Sequence, residues 1–93
     1  MNNQQNVMNL LDVINKGLLL RQNKEIDEPI FMQWFDYSRM VLIAALGNPQ
    51  IYYSIEANYL DLLQEMKNHE PRIGFPKIID YCVEYLQDIM VEL

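Results

Sequence analysis

The sequence predicts an all-α fold, a compact antiparallel four-helix bundle with short connections. Three observations carry this. Apolar residues recur at three- and four-residue spacing over four stretches, and nowhere do they alternate as a strand requires. Pro29, Gly47, Pro49 and Pro76 stand at the borders of those stretches. The chain has 93 residues, 51% of them hydrophobic and 22% charged, enough for one core and too few for two. Residues 1–93 are read as one domain with helices at about 4–21, 29–46, 49–67 and 76–91, and with 1–3 disordered.

The first helix follows from Val7, Leu10, Leu11, Ile14 and Leu18, which share one helical face. Gly17 interrupts it at a cost of about 1 kcal/mol against Ala. It reads first as a weak point and second as a close contact with a neighbouring helix. The run Leu18-Leu19-Leu20 is the part that could instead be extended.

Asn23 to Glu28 is a polar connector, and Pro29 opens the second helix with Asp27 and Glu28 at its positive end. Gly47 stops it by taking a left-handed conformation. Asn48 then caps the third helix and Pro49 starts it. The expected core face there is Tyr52, Ile55, Tyr59, Leu62, Leu63 and Met66. Asn68 to Phe75 reads as the longest connection, with Ile73 and Phe75 tucked under the bundle. Pro76 starts the fourth helix, whose apolar stripe is Ile78, Ile79, Cys82, Tyr85, Leu86, Ile89, Met90 and Leu93.

Composition narrows the class of activity. Seven Lys and Arg against 13 Asp and Glu give a net charge of −6, which is wrong for neutralising phosphates or docking on an anionic membrane. No direct contact with nucleic acid or membrane is expected. Residues 1–23 carry +1, 24–47 carry −2, 48–70 carry −3 and 71–93 carry −2, so the excess lies beyond the first helix. The longest apolar run, Met40 to Leu46, is far short of the roughly 20 residues of a membrane span. The uncharged side chains of residues 1–6 do not make a signal peptide. A single cysteine excludes an internal disulfide and suits a cytoplasmic protein. High Asn, Ile and Tyr with low Ala fit an AT-rich bacterial or phage genome.

Two features exceed what a bundle needs. The second helix is apolar nearly all round, with only Gln33, Asp36, Ser38 and Arg39 clearly polar. Once Phe31, Trp34, Phe35, Val41, Leu42, Ala45 and Leu46 face inward, Ile30, Tyr37, Met40 and Ile43 remain. Either this helix is central, or Tyr37, Met40 and Ile43 form a contact patch for a partner or a second copy. The fourth helix repeats acids every four residues at Asp80, Glu84, Asp88 and Glu92. Like charges at that spacing are destabilising, and the last of them lie at the unfavourable end of the dipole. The plainer reading is a solvated face countered by Arg21, Arg39 or Lys67. The sharper one is a ridge that docks a basic partner.

Catalytic and cofactor motifs are not found. The glycines are too scattered for a phosphate loop, and there is no paired-cysteine or His-Glu-x-x-His pattern. Cys82 reads as a buried small hydrophobe. His69 reads as a surface residue near Glu65, and Asp61 with Glu65 as a solvated acid pair. The turn at Gly47–Pro49 resembles a helix-turn-helix corner, but residues 50–56 contain no Lys or Arg to meet phosphate. The expectation is a non-enzymatic protein–protein interaction module with no cofactor or metal, self-associating as a homodimer or binding a basic protein. The alternative is an acidic inhibitor, of phage or immunity type, that occupies the basic site of a nucleic-acid-binding protein. A helix-turn-helix DNA binder ranks third.

Overall fold

The computed structural model describes residues 3–93; of the three residues expected to be disordered, Met1 and Asn2 lie outside them, and Asn3 is instead the first residue of a helix. The helices are α1 (Asn3–Arg21), α2 (Glu28–Leu46), α3 (Pro49–Met66) and α4 (Pro71–Glu92). Among the described residues there is no strand, and the chain is a four-helix bundle. Both α2 and α4 pack against all three other helices, whereas α1 and α3 flank them without meeting. The apolar excess of α2 is thus largely explained by its central place.

An aromatic chain ties the centre together. Phe75 of α4 stacks on Phe31 of α2 at 4.5 Å between ring centroids. Phe31 stacks in turn on Phe35 at 5.7 Å, and Phe35 meets Tyr59 of α3 at 4.8 Å. Around these lie Leu10, Val13, Leu42, Ile55, Ile78, Ile79 and Leu86, all with almost no exposure. Burial of each such side chain contributes about 1.5–3 kcal/mol against leaving it in water.

The local signals at the α2–α3 turn hold. Gly47 has φ of 60°, in the left-handed region, and its N–H donates to Ile43 O. The Asn48 side chain accepts from Gln50 N at 2.9 Å, and Pro49 is the first residue of α3.

Several expectations are corrected. Helix α4 begins at Pro71, not Pro76, so the α3–α4 connection is only 67–70. The Glu70 carbonyl accepts from Ile73 N and Gly74 N at 2.9 and 2.8 Å, which closes the first turn. Phe75 precedes a proline, a position that disfavours helix, yet its ring is buried on Phe31 and tertiary packing holds it there. Ile73 is exposed instead of tucked under the bundle. Leu18 to Leu20 is helical throughout. The buried face of α1 is Leu10, Val13, Ile14, Gly17 and Leu20, while Leu11 and Leu18 are exposed. The stripe is turned toward Trp34, which lies on Gly17 and donates from Nε1 to Val13 O at 2.9 Å. Gly17 is therefore a point of close approach rather than a weak point. In α3, Tyr52 is 41% exposed and Ile51 is the half-buried residue. Ser38, one of the few polar residues of α2, is fully buried: its Oγ donates to Phe35 O at 2.7 Å and lies 3.0 Å from the Tyr59 hydroxyl.

Candidate functional site

The proposed α2 patch is divided by helix geometry. A step of three residues turns back about 60° on an α-helix, so Tyr37 and Ile43 point to different neighbours. Tyr37 is half-buried toward α1, where its hydroxyl donates to Asp12 Oδ2 at 2.6 Å. Lys16 pairs with the same carboxylate at 3.1 Å and stands 5.2 Å from the Tyr37 ring centroid. The hydrogen bond from Tyr37, and then Lys16, hold the Asp12 carboxyl below its ordinary range. The same bond to Asp12 pushes the Tyr37 phenol up. Ile43 lies half-buried toward the α2–α3 corner, beside Pro49 and Tyr52. Only Met40, 59% exposed, points outward.

What the structure brings together instead is an open cleft between α1 and α2, of about 780 Å³. Its floor is Trp34, set low because Gly17 has no side chain beneath the indole. Its apolar rim is Leu19, 64% exposed, and Ile30, 52% exposed, with Tyr37 at one end. Gln22, Asn23 and Gln33 supply neutral amides, and among the described residues Lys16 is the one charged residue in the lining. Large apolar side chains left at this exposure around a concave floor are a mark of binding surfaces. In the sequence pattern Ile30 remains outside the inward face of α2, and Leu19 lies in the middle of the Leu18–Leu20 run. The available signal was position: Leu19 falls nearly opposite the Leu10–Val13–Gly17 arc on the helical wheel.

The acidic ridge also changes shape. Four-residue spacing advances about 40° beyond a full turn, so the row winds from the α1 side of α4 toward the α3 side. Asp80 faces α1 and takes both Arg21 Nε at 3.0 Å and Nη2 at 3.3 Å. Of the expected counter-charges, Arg21 alone acts on the ridge. Arg39 is bound to Asp36 and, across to α3, to Glu56; these two carboxylates push its guanidinium further up. Glu84, Asp88 and Glu92 are exposed and have no cationic partner among the described residues.

A second cleft, of about 550 Å³, runs between α3 and α4. Asn58, Asp61, Leu62 and Glu65 form one wall, and Tyr81 and Tyr85 the other. Glu65 Oε1 is 3.3 Å from His69 Nε2 and 3.7 Å from Lys77 Nζ, and those contacts, His69 first, hold its carboxyl down.

Among the described residues the interior brings together Ser38, Tyr59 and Cys82, from α2, α3 and α4. Because Ser38 donates to Phe35 O, the Tyr59 hydroxyl donates to Ser38 Oγ. Burial pushes the Tyr59 phenol up, and pushes the Cys82 thiol up to about 12. A thiol so buried is not a nucleophile near neutral pH. Among the described residues no three His, Cys, Asp or Glu side chains are grouped to hold a metal ion. No described helix is long and apolar enough to cross a membrane. Comparison with known proteins finds no matching family model, curated protein or solved structure.

Proposed function

We propose that this chain is a small acidic, non-enzymatic protein-interaction module that seats an apolar segment of a partner protein in the α1–α2 cleft. The observation that supports it is the cleft itself: Trp34 as floor, Leu19 and Ile30 exposed on either rim, and almost no charge in the lining. An apolar side chain entering there would leave water together with the exposed surfaces of Leu19 and Ile30, at about 25 cal/mol per Å² buried. The buried thiol of Cys82 fits a cytoplasmic setting, where cysteines remain reduced.

A partner protein in the cleft and a second copy of this chain there would differ in behaviour. Light scattering over a hundredfold range of concentration reads the mass directly. A mass that doubles in the native chain but not in Leu19→Asp assigns the cleft to a homodimer. A constant monomer mass, with a host protein retained by the native chain and lost from Leu19→Asp and Ile30→Asp, assigns it to a partner. Retention by all three chains would refute the cleft as the docking surface.

A second reading is favoured by a separate observation, the three uncompensated carboxylates Glu84, Asp88 and Glu92. On this reading the chain is an acidic inhibitor that covers a basic site on a nucleic-acid-binding protein. Its binding would fall with salt and would be lost with Glu84→Lys and Asp88→Lys, which leave the α1–α2 cleft untouched.

A further inference from the structure

The α3–α4 cleft differs from the α1–α2 cleft in the chemistry it offers. Its apolar parts are Leu62 and the two tyrosine rings, Tyr81 (51% exposed) and Tyr85 (half-buried). Among the described residues its charged lining is acidic, Asp61 and Glu65. Asp61 makes no ion pair among the described residues, and Glu65 is shared between two weak contacts at 3.3 and 3.7 Å. Residues 48–93, which build both walls, carry −5 of the net charge.

We infer that this cleft binds an arginine side chain of a basic segment on a protein partner. Charge complementarity selects the cation, and the walls select arginine over lysine. A guanidinium presents a flat face to a tyrosine ring and a planar fork of donors to a carboxylate. Its three-carbon stem covers apolar surface, for which Leu62 lies in the lining. An ammonium offers neither the stacking face nor the fork. The surface also continues beyond one side chain. Asp88 and Glu92 stand seven residues after Tyr81 and Tyr85, two helical turns further along the same wall of α4. A basic segment anchored by one arginine in the cleft therefore meets further carboxylates in line.

This inference rests on the reading of the chain as an interaction module but does not use the α1–α2 cleft. Its test is fluorescence anisotropy of the full chain with a labelled octapeptide of alternating Ala and Arg. The lysine analogue and the uncharged citrulline analogue are run beside it at low salt. The arginine peptide is expected to bind, the lysine peptide several-fold more weakly and the citrulline peptide not at all. Asp61→Asn and Tyr81→Ala are each expected to weaken arginine-peptide binding by about tenfold, which is about 1.4 kcal/mol. Glu25→Gln removes an equal charge from the α1–α2 connection, and Leu19→Asp disables the other cleft; both should stay within about twofold of the native chain. Circular dichroism of each variant confirms the fold. The inference is overturned if the arginine peptide does not bind at low salt, or if lysine serves as well. It is also overturned if Glu25→Gln weakens binding as much as Asp61→Asn, since that would be general attraction to an acidic protein. Failure of the α1–α2 cleft alone leaves these results unchanged.

Discussion

The Trp34 indole occupies the space where Gly17 would carry a side chain: a Cβ on Gly17 would lie 2.5 Å from Trp34 Cζ2. The ring cannot simply swing away. It is buried, and its Nε1 donates to Val13 O on the same stretch of α1. The contact sets the approach of α1 to α2 and the depth of the cleft between them.

Two effects therefore oppose each other in Gly17→Ala. Helix propensity favours alanine by about 1 kcal/mol. Overpacking against a fixed ring costs about 1–3 kcal/mol. The clash is severe, so the expected outcome is a net loss of about 1 kcal/mol in urea unfolding, with a shift in Trp34 fluorescence. In a Trp34→Phe background the blocking atoms are gone, and the same substitution should become neutral or stabilising. A stabilising Gly17→Ala in the native background would show that the ring gives way.

The buried Ser38–Tyr59–Cys82 cluster predicts alkaline weakness. Both acids are held neutral in the folded chain, Cys82 being pushed from an ordinary 9.0 up to about 12 and Tyr59 raised from 10.0. Above those ordinary values the unfolded chain releases its protons first, so the folded state is the one that binds more protons. Stability is then full below pH 9 and falls from there toward 12, with Tyr59 adding its share from pH 10 upward. Each group contributes a slope of about 1.4 kcal/mol per pH unit. Urea unfolding at pH 7.5, 9 and 10 should show this, and Cys82→Ala should flatten the decline between 9 and 10. An unchanged slope in that variant would mean that the thiol ionises freely in the folded chain.

How far the sequence could be read depends on the range of the forces involved. The Gly47-Asn48-Pro49 turn was legible because each residue acts on its own backbone. The α4 stripe was legible because its apolar residues keep a helical period, although Val83, buried as well, lies outside the expected set. Cys82 followed from its place on that stripe. The start of α4 was not legible, because it is decided by Phe75 stacking on Phe31, a contact made across 44 positions of sequence. The two clefts were hidden for the same reason. Leu19 and Ile30, or Asp61 and Tyr81, become neighbours only once the helices are placed. Tyr37, Met40 and Ile43 show the converse: close in sequence, they are turned to different sides of α2.

Pro76 is the sixth residue of α4, past the first turn, where a proline removes a backbone donor and crowds the carbonyl four residues back. Pro76→Ala should therefore stabilise the chain. The helix-interior term is about 3 kcal/mol, offset by up to about 1 kcal/mol from the greater freedom of the unfolded chain. A gain of about 2 kcal/mol in urea unfolding is expected, with stronger amide-exchange protection in residues 73–77. A loss would show that packing of the half-buried pyrrolidine ring outweighs the missing hydrogen bond.

The acidic row on α4 carries a stability cost that a single charge reversal should reveal. Glu84 has Asp80 four residues before it and Asp88 four residues after it, so it takes part in two like-charge pairs. Each such pair is unfavourable by a few tenths of a kcal/mol, and opposite charges at the same spacing are favourable by a similar amount. Glu84→Lys converts both pairs and should raise the melting temperature measurably at low salt. At 1 M salt the Debye length is about 3 Å, and most of the gain should vanish. The arginine at position 21 limits the effect on one side, because it already neutralises Asp80. A lower melting temperature at low salt would show that Glu84 has a favourable interaction that the row of acids does not account for. A higher one would mean that the native chain carries glutamate there at a cost in stability, the pattern expected of a residue kept for binding.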